Sequence, residues 1–165
     1  MNRMLAVIGA LLLAISFQAA AETRVGVVDL RQALFSSNDA QAFSEQLQKD
    51  FADDENKVRE AQEAARQLKD RLEKDGAMMN ENERTKLATE FQGKVQEFNV
   101  LKQRLDATVA QRKQQFLEGA RPEVDAAVKE LLDEHGLDLI LPSEAVVYVK
   151  PEMNLTSQLL DKLNK

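Results

Sequence analysis

Nearly a hundred residues, from about Asn38 to His135, have the pattern of two long helices joined by a single turn. Each helix would contain on the order of 38 to 55 residues and reach about 55 to 80 Å at a rise of 1.5 Å per residue. Such helices are too long to lie flat on any core that the rest of the chain could build. The sequence therefore predicts a projecting helical arm over residues 38–135, and a small head built from residues 22–37 and 136–165.

The first helix of the arm begins at a capping-box pattern, Asn38 with Gln41 three residues later. Its apolar residues then follow a heptad repeat, which indicates a narrow coiled-coil seam flanked by Phe43. Eight of the ten a and d positions are apolar, and Asp54 and several alanines predict a loose seam. The a positions are Ser44, Phe51, Val58, Ala65 and Leu72, and the d positions are Ala40, Leu47, Asp54, Ala61 and Leu68.

The two helices meet at a predicted arm tip, residues 75–82, where Gly76 is the expected turn residue. Asn80 and Glu83 form a second capping box and predict the start of the next helix. The apolar residues of that helix recur every eleven positions, which predicts a nearly straight helix that meshes loosely with a heptad partner. This stripe consists of Leu87, Phe98, Val109, Ala120 and Leu131, joined by Phe91, Val95, Leu105 and Phe116.

Two positions near the root of the second helix predict a kink or hinge. Pro122 lacks a backbone donor and crowds the preceding turn, and Gly119 lies three residues before it. The apolar surface also widens beyond this point, so the root is expected to be buried on more sides than the tip. The helix is predicted to end at His135, with Gly136 in the left-handed conformation.

Short β-branched and apolar segments surround the arm and predict an α+β, predominantly helical fold. Residues 24–30, 137–141 and 145–149 are interpreted as strands, residues 31–35 as one helical turn, and residues 155–163 as an amphipathic helix. Three short strands expose their edges and bury little area, so the heads of several chains are expected to share one sheet or barrel. The residues predicted to build this oligomerisation head are Val25, Val27, Val28, Leu139, Ile140, Leu141, Val146, Val147 and Tyr148.

Residues 1–21 have the pattern of a secretory signal peptide that is cleaved after Ala21. Arg3 precedes an uncharged apolar run, residues 4–17, and small residues at 19–21 complete the cleavage site. Removal of this segment takes away one positive charge and changes the net charge from −6 to −7. We therefore expect an exported, acidic chain.

Several classes of function are disfavoured by composition. The chain contains no cysteine, so disulfides, thiolate metal sites and cysteine nucleophiles are excluded. The single histidine, His135, lies at a helix C-terminus, where a structural role fits better than catalysis or metal binding. The acidic balance argues against a nucleic-acid partner. We therefore expect no enzyme, no catalytic residue, no metal and no cofactor.

Val25 to Leu30 with Ala33-Leu34-Phe35, the charged hairpin, and the segments Gly136 to Leu141 and Ala145 to Tyr148 together resemble the Skp/OmpH family of periplasmic chaperones. The closing Asn154-Leu155-Thr156 and its helix are also similar to the end of that family. The resemblance implies a jellyfish-like homotrimer whose arms enclose unfolded outer-membrane β-barrel proteins without ATP. A periplasmic coiled-coil adaptor or structural spacer is the alternative function.

The chain departs from the family in its charge, because the arms of such chaperones are typically basic. Residues 66–86 carry six positive and five negative side chains, so only the tip is slightly positive. Unfolded outer-membrane proteins remain the expected partners, and a membrane lipid surface is a further candidate partner.

Contact between the arm and an unfolded client protein is expected to be diffuse, because the apolar residues of the arm pack in the seam. Phe43, Phe51, Phe91 and Phe98 fit the seam better than client contacts. Met78 and Met79 at the tip would either grip apolar clients or close the hairpin over Leu87 and Leu72.

Overall fold

The computed structural model describes residues 23–165, so the predicted signal peptide and its cleavage site lie outside the described residues. The fold is α+β and predominantly helical, as predicted. Short turns of 3₁₀ helix lie at 143–145 and 151–153. The elements in chain order are β1 (Val25–Val28), α1 (Leu30–Ser36), α2 (Asn38–Asp75), α3 (Glu81–Glu134), β2 (Leu139–Pro142) and α4 (Thr156–Leu163).

The start of α2 differs from the prediction by one residue. Ser37, not Asn38, is the N-cap, and its hydroxyl accepts a 3.2 Å hydrogen bond from the backbone N–H of Ala40. The side chain of Gln41 donates to the carbonyl of Ser36 and closes no capping box. Ser37 is buried, and its hydroxyl also donates to the Leu34 carbonyl at 2.7 Å, which holds the side chain beside the first free N–H groups of α2.

The seam between α2 and α3 follows the predicted stripes on both helices. On α2 the eight apolar seam residues are buried or half-buried, whereas Ser44 and Asp54 are exposed. On α3 every residue of the eleven-residue repeat is at least half-buried. Phe43 and Phe116 stack across the two helices with ring centroids 4.4 Å apart. The arm is therefore a two-helix hairpin closed by one narrow apolar seam.

The hairpin turns between Asp75 and Glu81, within the predicted tip. The Asn80 side chain accepts from the Glu83 N–H at 3.0 Å, and the Glu83 carboxylate accepts from the Asn80 N–H at 3.2 Å. This confirms the predicted capping box. Gly76 is the C-cap of α2 and keeps a right-handed backbone, with its N–H donating to the Leu72 carbonyl at 3.1 Å.

The end of α3 is closed as predicted by a left-handed glycine. Gly136 has φ of 55°, which a side chain would strain. Its N–H donates to the Asp133 carbonyl at 3.2 Å, and the Leu137 N–H donates to the Leu132 carbonyl at 2.9 Å. This pair of bonds is the Schellman motif, and it turns the chain from α3 towards β2.

The sheet is smaller than predicted. β1 and β2 pair in parallel, with Val25 opposite Leu139, and each contains four residues. The predicted first strand extended to residue 30, but α1 already begins at Leu30 and makes two turns. Residues 145–149 form no strand, which corrects the prediction. The segment is extended at Val146, but no other strand of the described chain lies beside it to complete a ladder.

The head core joins residues from both ends of the chain with the root of the arm. Leu131 and Leu159 have no exposed surface, and Val28 is 1% exposed. The last turns of α3 therefore pack into the head, which agrees with the expected widening of its apolar surface. The buried cluster consists of Val28, Ala33, Ala127, Leu131, Leu155, Leu159 and Leu163.

Candidate binding surfaces of the head and arm

The nine residues predicted for the oligomerisation head fall into three groups by exposure. Val27 and Val28 are 3% and 1% exposed, so they are consumed by packing within one chain. Val25, Ile140, Leu141 and Val146 are half-buried. Leu139 is 44% exposed, Tyr148 is 80% exposed and Val147 is fully exposed. Of these nine residues, the ones most free to contact another molecule are thus Leu139 in β2 and Val147 and Tyr148 in the segment after it.

The outer edge of β2 is unpaired in the described chain. β1 occupies one side of β2, while β1 itself is bridged on its other side by Asn154. Gly26 allows this crowding, because a Cβ there would come within 2.8 Å of the Leu137 side chain and 2.9 Å of the Leu155 side chain. An exposed edge of Leu139, Ile140 and Leu141 is a ready template for another strand.

The two tip methionines, which the sequence left open, are placed differently by the structure. Met78 is 83% exposed at the turn. Met79 is half-buried and lines a groove with Leu87, Arg71 and Glu90. Met79 therefore helps to close the hairpin, and only Met78 is free to touch an apolar partner.

The predicted hinge residues lie at the root of the arm. α3 is continuous through Pro122, whose ring is exposed. Gly119 lines a cavity of about 220 Å³ together with Phe116, Val124 and Leu163. A Cβ at Gly119 would meet no atom within 4 Å, so local packing does not require glycine there. Hinge motion remains a prediction.

Most ion pairs of the arm lie on the surface of one helix and link residues three or four positions apart. Lys57 contacts Asp54 at 2.9 Å, and this hydrogen bond raises the pKa of the lysine. Arg112 and Asp50, 3.5 Å apart, connect α3 with α2. Such exposed pairs contribute little to stability. The seam, and not charge, holds the hairpin together.

The head contains a better protected ion-pair cluster. The ammonium group of Lys162 lies 2.7 Å from Glu134 and 3.0 Å from Glu130, and the lysine side chain is only 7% exposed. The hydrogen bonds that Lys162 donates to Glu134 and to Glu130 raise the pKa of the lysine. The hydrogen bond from Lys162 lowers the pKa of Glu134. These contacts attach α4 to the last turn of α3.

Sequence reasoning missed three polar residues, in α4 and at its C-cap, that tie this end of the chain to the rest of the head. The Thr156 hydroxyl accepts from the Asp29 N–H at 2.9 Å and donates to Asn154 at 2.7 Å. Asn164 accepts from the Asn38 N–H at 2.8 Å. Lys162 forms the ion-pair cluster. Asn154 lies two positions from Thr156, but the other partners lie 28 to 127 positions away, and no local spacing reveals such pairs.

No grouping of His, Asp and Glu that could hold a metal occurs in the described part of the chain. His135 is the exposed C-cap residue of α3. Between residues 23 and 165, no helix has the length and apolar character needed to cross a membrane.

A family model described as outer membrane protein (OmpH-like) matches residues 24–163, which include the head and the whole arm. The chain belongs to the OmpH-like family. This family consists of chaperones and not of enzymes.

The chain is similar over most of its length to curated members of this family. A Skp-like protein of Pseudomonas aeruginosa is 29% identical over 147 residues, covering 89% of this chain and 88% of the relative. The chaperone protein Skp of Vibrio cholerae is 25% identical over 142 residues, covering 86% and 84%.

A solved structure has the same fold. The crystal structure described as an outer membrane chaperone (OmpH-like) from Caulobacter crescentus matches with a TM-score of 0.62 and 17% identity, covering 87% of this chain and 85% of that chain. The OmpH-like fold, a long helical hairpin on a small strand pair, is thereby established for this chain.

Proposed function

We propose that this OmpH-like chain is an ATP-independent periplasmic holdase that binds unfolded outer-membrane β-barrel proteins and prevents their aggregation. The observation that carries the proposal is the hairpin of 38 and 54 helical residues, whose side chains are exposed outside one narrow seam. The seam occupies only a narrow part of the surface of these two helices. Relatives that carry the name chaperone protein Skp support the same function.

The physical basis of holding is steric separation with weak contacts. An unfolded barrel protein exposes alternating apolar residues that associate with one another in water. Helices of 38 and 54 residues extend about 57 and 81 Å at 1.5 Å per residue, long enough to surround such a chain. Many weak contacts along the arms then give useful avidity and leave the client mobile.

Enclosure needs more than one arm, so we also propose that the chain works as a homotrimer joined through its head. The unpaired outer edge of β2 and the exposed side chains of Leu139, Val147 and Tyr148 support this assembly. Residues 146–149 would gain a strand partner from a neighbouring subunit. The extended Val146 backbone already fits such pairing.

Native mass spectrometry of the exported chain, alone and after dilution of a urea-unfolded barrel protein into it, tests both parts. The expected result is a trimer that captures one client chain. A trimer that captures none would favour the adaptor function, in which the tip binds one fixed partner. A monomer would overturn the shared-head assembly.

A matched pair of variants assigns the assembly to its surface. Tyr148→Glu with Val147→Glu places charges on the exposed segment after β2 and is expected to give monomers. Met78→Glu, at an equally exposed apolar residue on the tip, is the control and should leave the trimer intact. Trimers from the double variant would rule out this surface as the interface.

A further inference from the structure

The side of α3 that faces away from α2 carries no charge between residues 85 and 117, although 30% of the chain is charged. At ~100° per residue, Gln92, Gln96, Gln103 and Gln114 fall on one line, roughly opposite the buried stripe. When residues are placed at the same ~100° spacing, an arc of about 160° around this line contains no Asp, Glu, Lys or Arg. Every residue within this arc is exposed. We call this surface the amide face of α3.

The corresponding side of α2 is different. Glu45, Lys49, Glu60, Glu63 and Lys74 all lie on the side away from its seam, as expected for a helix face in water. The two helices belong to the same hairpin and are exposed to the same degree. Solvation alone therefore does not account for the lack of charge on α3.

The chemistry of the amide face fits an extended polypeptide. Glutamine and asparagine side chains both donate and accept hydrogen bonds, so they can pair with backbone N–H and C=O groups of any sequence. A shallow groove of about 330 Å³ lies on its flank, lined by Phe91 and Val95 with Gln96, Val100 and Gln103. The face thus offers amides for a backbone and a small apolar floor for alternate side chains.

Charge and length favour one occupant over the others. The face spans about 48 Å at 1.5 Å per residue, which matches about 14 residues of extended chain at 3.3 Å each. A transmembrane β-strand has about 9 to 11 residues and few charges on its lipid side. A second arm helix would need an apolar stripe, but Val100 and Leu117 are the large apolar residues of the face. An anionic lipid surface would need cations.

We propose that the amide face of α3 is the surface along which an unfolded, weakly charged strand segment of a barrel protein lies in extended form. This inference rests on the proposed holdase function and assigns its client contact to one helix of the arm. Client selection would then depend on the absence of charge, because a charge on either partner would have to be desolvated without compensation.

The decisive variants add charge to one helix face at a time. The test variant carries Gln96→Glu, Gln103→Glu and Ala110→Glu on α3. The matched control carries Ala42→Glu, Asn56→Glu and Gln67→Glu at exposed positions of α2. Each replaces two amides and one alanine at exposed helical positions and adds three negative charges. Far-UV circular dichroism checks that both variants fold, and native mass spectrometry measures their subunit number.

Client affinity is measured by titration against a urea-unfolded barrel protein that contains tryptophan. The chain itself contains no tryptophan, so all of the indole fluorescence comes from the client. We expect the α3 variant to raise the dissociation constant about tenfold and the α2 variant to change it less than about twofold. Equal effects of the two variants would overturn the assignment to α3, while capture by wild type would leave the holdase function standing.

The sign of the added charge separates this contact from electrostatic attraction. Gln96→Lys, Gln103→Lys and Ala110→Lys should weaken binding as well, because the face must stay uncharged. Tighter binding with lysine would overturn the proposal, since it would show that overall charge governs capture. A change in subunit number with either triple variant would instead assign the face to contact between copies.

Crosslinking tests the location without disturbing charge. The chain has no cysteine, so Gln103→Cys on α3 and Asn56→Cys on α2 each give one thiol for a photoreactive benzophenone label. Illumination in the presence of unfolded client should crosslink from residue 103 and only weakly from residue 56. Equal yields would contradict the proposal. Failure of wild type to keep the client soluble would overturn the holdase function itself.

Discussion

In the head, Leu131 and Leu159 have no exposed surface, whereas the largest buried side chain of the arm, Phe51, keeps 8% of its surface in water. Head residues are enclosed by α1, α3, α4 and the sheet, while an arm residue meets one neighbouring helix. Truncation of one side chain in the head therefore leaves an enclosed cavity. Truncation of one side chain in the arm removes a single contact from a long series. The head concentrates stability and the arm distributes it.

This difference suits the proposed function. A holdase needs a fixed junction between subunits and an adaptable surface towards clients. Alanines such as Ala61 and Ala65 keep the two helices close with little interlocking, so the arm can bend without breaking any one large contact. The comparison is tested by substitutions that remove similar groups from the two regions.

The largest effect is expected for Leu159→Ala. Its side chain is fully buried at the centre of the head core, so the substitution should lower the free energy of unfolding by about 3 to 4 kcal/mol. Urea unfolding followed by circular dichroism measures this change. Leu30→Ala, at a residue 38% exposed in the head, is the control and should cost less than about 1 kcal/mol.

A smaller effect is expected for Phe51→Ala in the arm, although the residue removed is larger. The seam is one-sided, so the gap fills partly with water, and the cost should be about 2 kcal/mol, below the range for enclosed phenylalanines. Hydrogen exchange should show faster exchange around residue 51 and unchanged protection in α4. A cost above that of Leu159→Ala would show that the arm is as closed as the head.

Thr156→Val removes a polar tie of the head without changing side-chain volume. The Asp29 N–H loses its 2.9 Å acceptor, and Asn154 loses a donor. We expect a loss of about 1 to 2 kcal/mol in the free energy of unfolding. Ser157→Ala, at the exposed neighbouring position, is the control. Equal effects at both positions would mean that the hydrogen bonds do not secure α4.

The smallest effect on the free energy of unfolding is expected for Lys162→Met. This effect should depend on pH, which distinguishes it from the loss of an apolar contact. The lowered pKa of Glu134 means that its stabilisation is present above the usual glutamate pKa and is lost as pH falls through the folded value. The raised pKa of Lys162 means that its stabilisation is present below the usual lysine pKa and is lost as pH rises through the folded value.

The stability difference between wild type and Lys162→Met should therefore be greatest near neutral pH and narrow in both acid and alkali. Thermal unfolding at several pH values measures it. Lys57→Met removes an ion pair of the arm whose lysine is 59% exposed, so its effect should be close to zero throughout. A difference that does not vary with pH would assign the role of Lys162 to its aliphatic stem.

The arm was largely predictable because its signals are local. The capping box at Asn80, the left-handed Gly136 and the two apolar stripes each depend on residues a few positions apart. The start of α2 was placed one residue late because Ser37 and Asn38 are both good caps, and local sequence does not rank them. The role of Met79 could not be predicted from the sequence, because it depends on the path of the backbone through the turn.

The head was less predictable because its contacts are distant in sequence. Residues 145–149 are apolar and β-branched like a buried strand, but a strand also requires a partner, and the described chain supplies none. Thr156 meets Asp29 across 127 positions. The amide face of α3 was overlooked for another reason. This face is distinguished by its lack of charged residues, and the periodicity of apolar residues does not reveal such a surface.

The last helix has a consequence for the order in which the two regions fold. Leu155, Leu159 and Leu163 complete the head core, and the Asn164 side chain accepts a hydrogen bond from the Asn38 N–H at the start of α2. The two helices of the arm are neighbours in sequence and can pair early, but the head core closes only when α4 docks, since distant contacts form late. A chain that lacks α4 would therefore keep a helical hairpin and lose the closed core at its root.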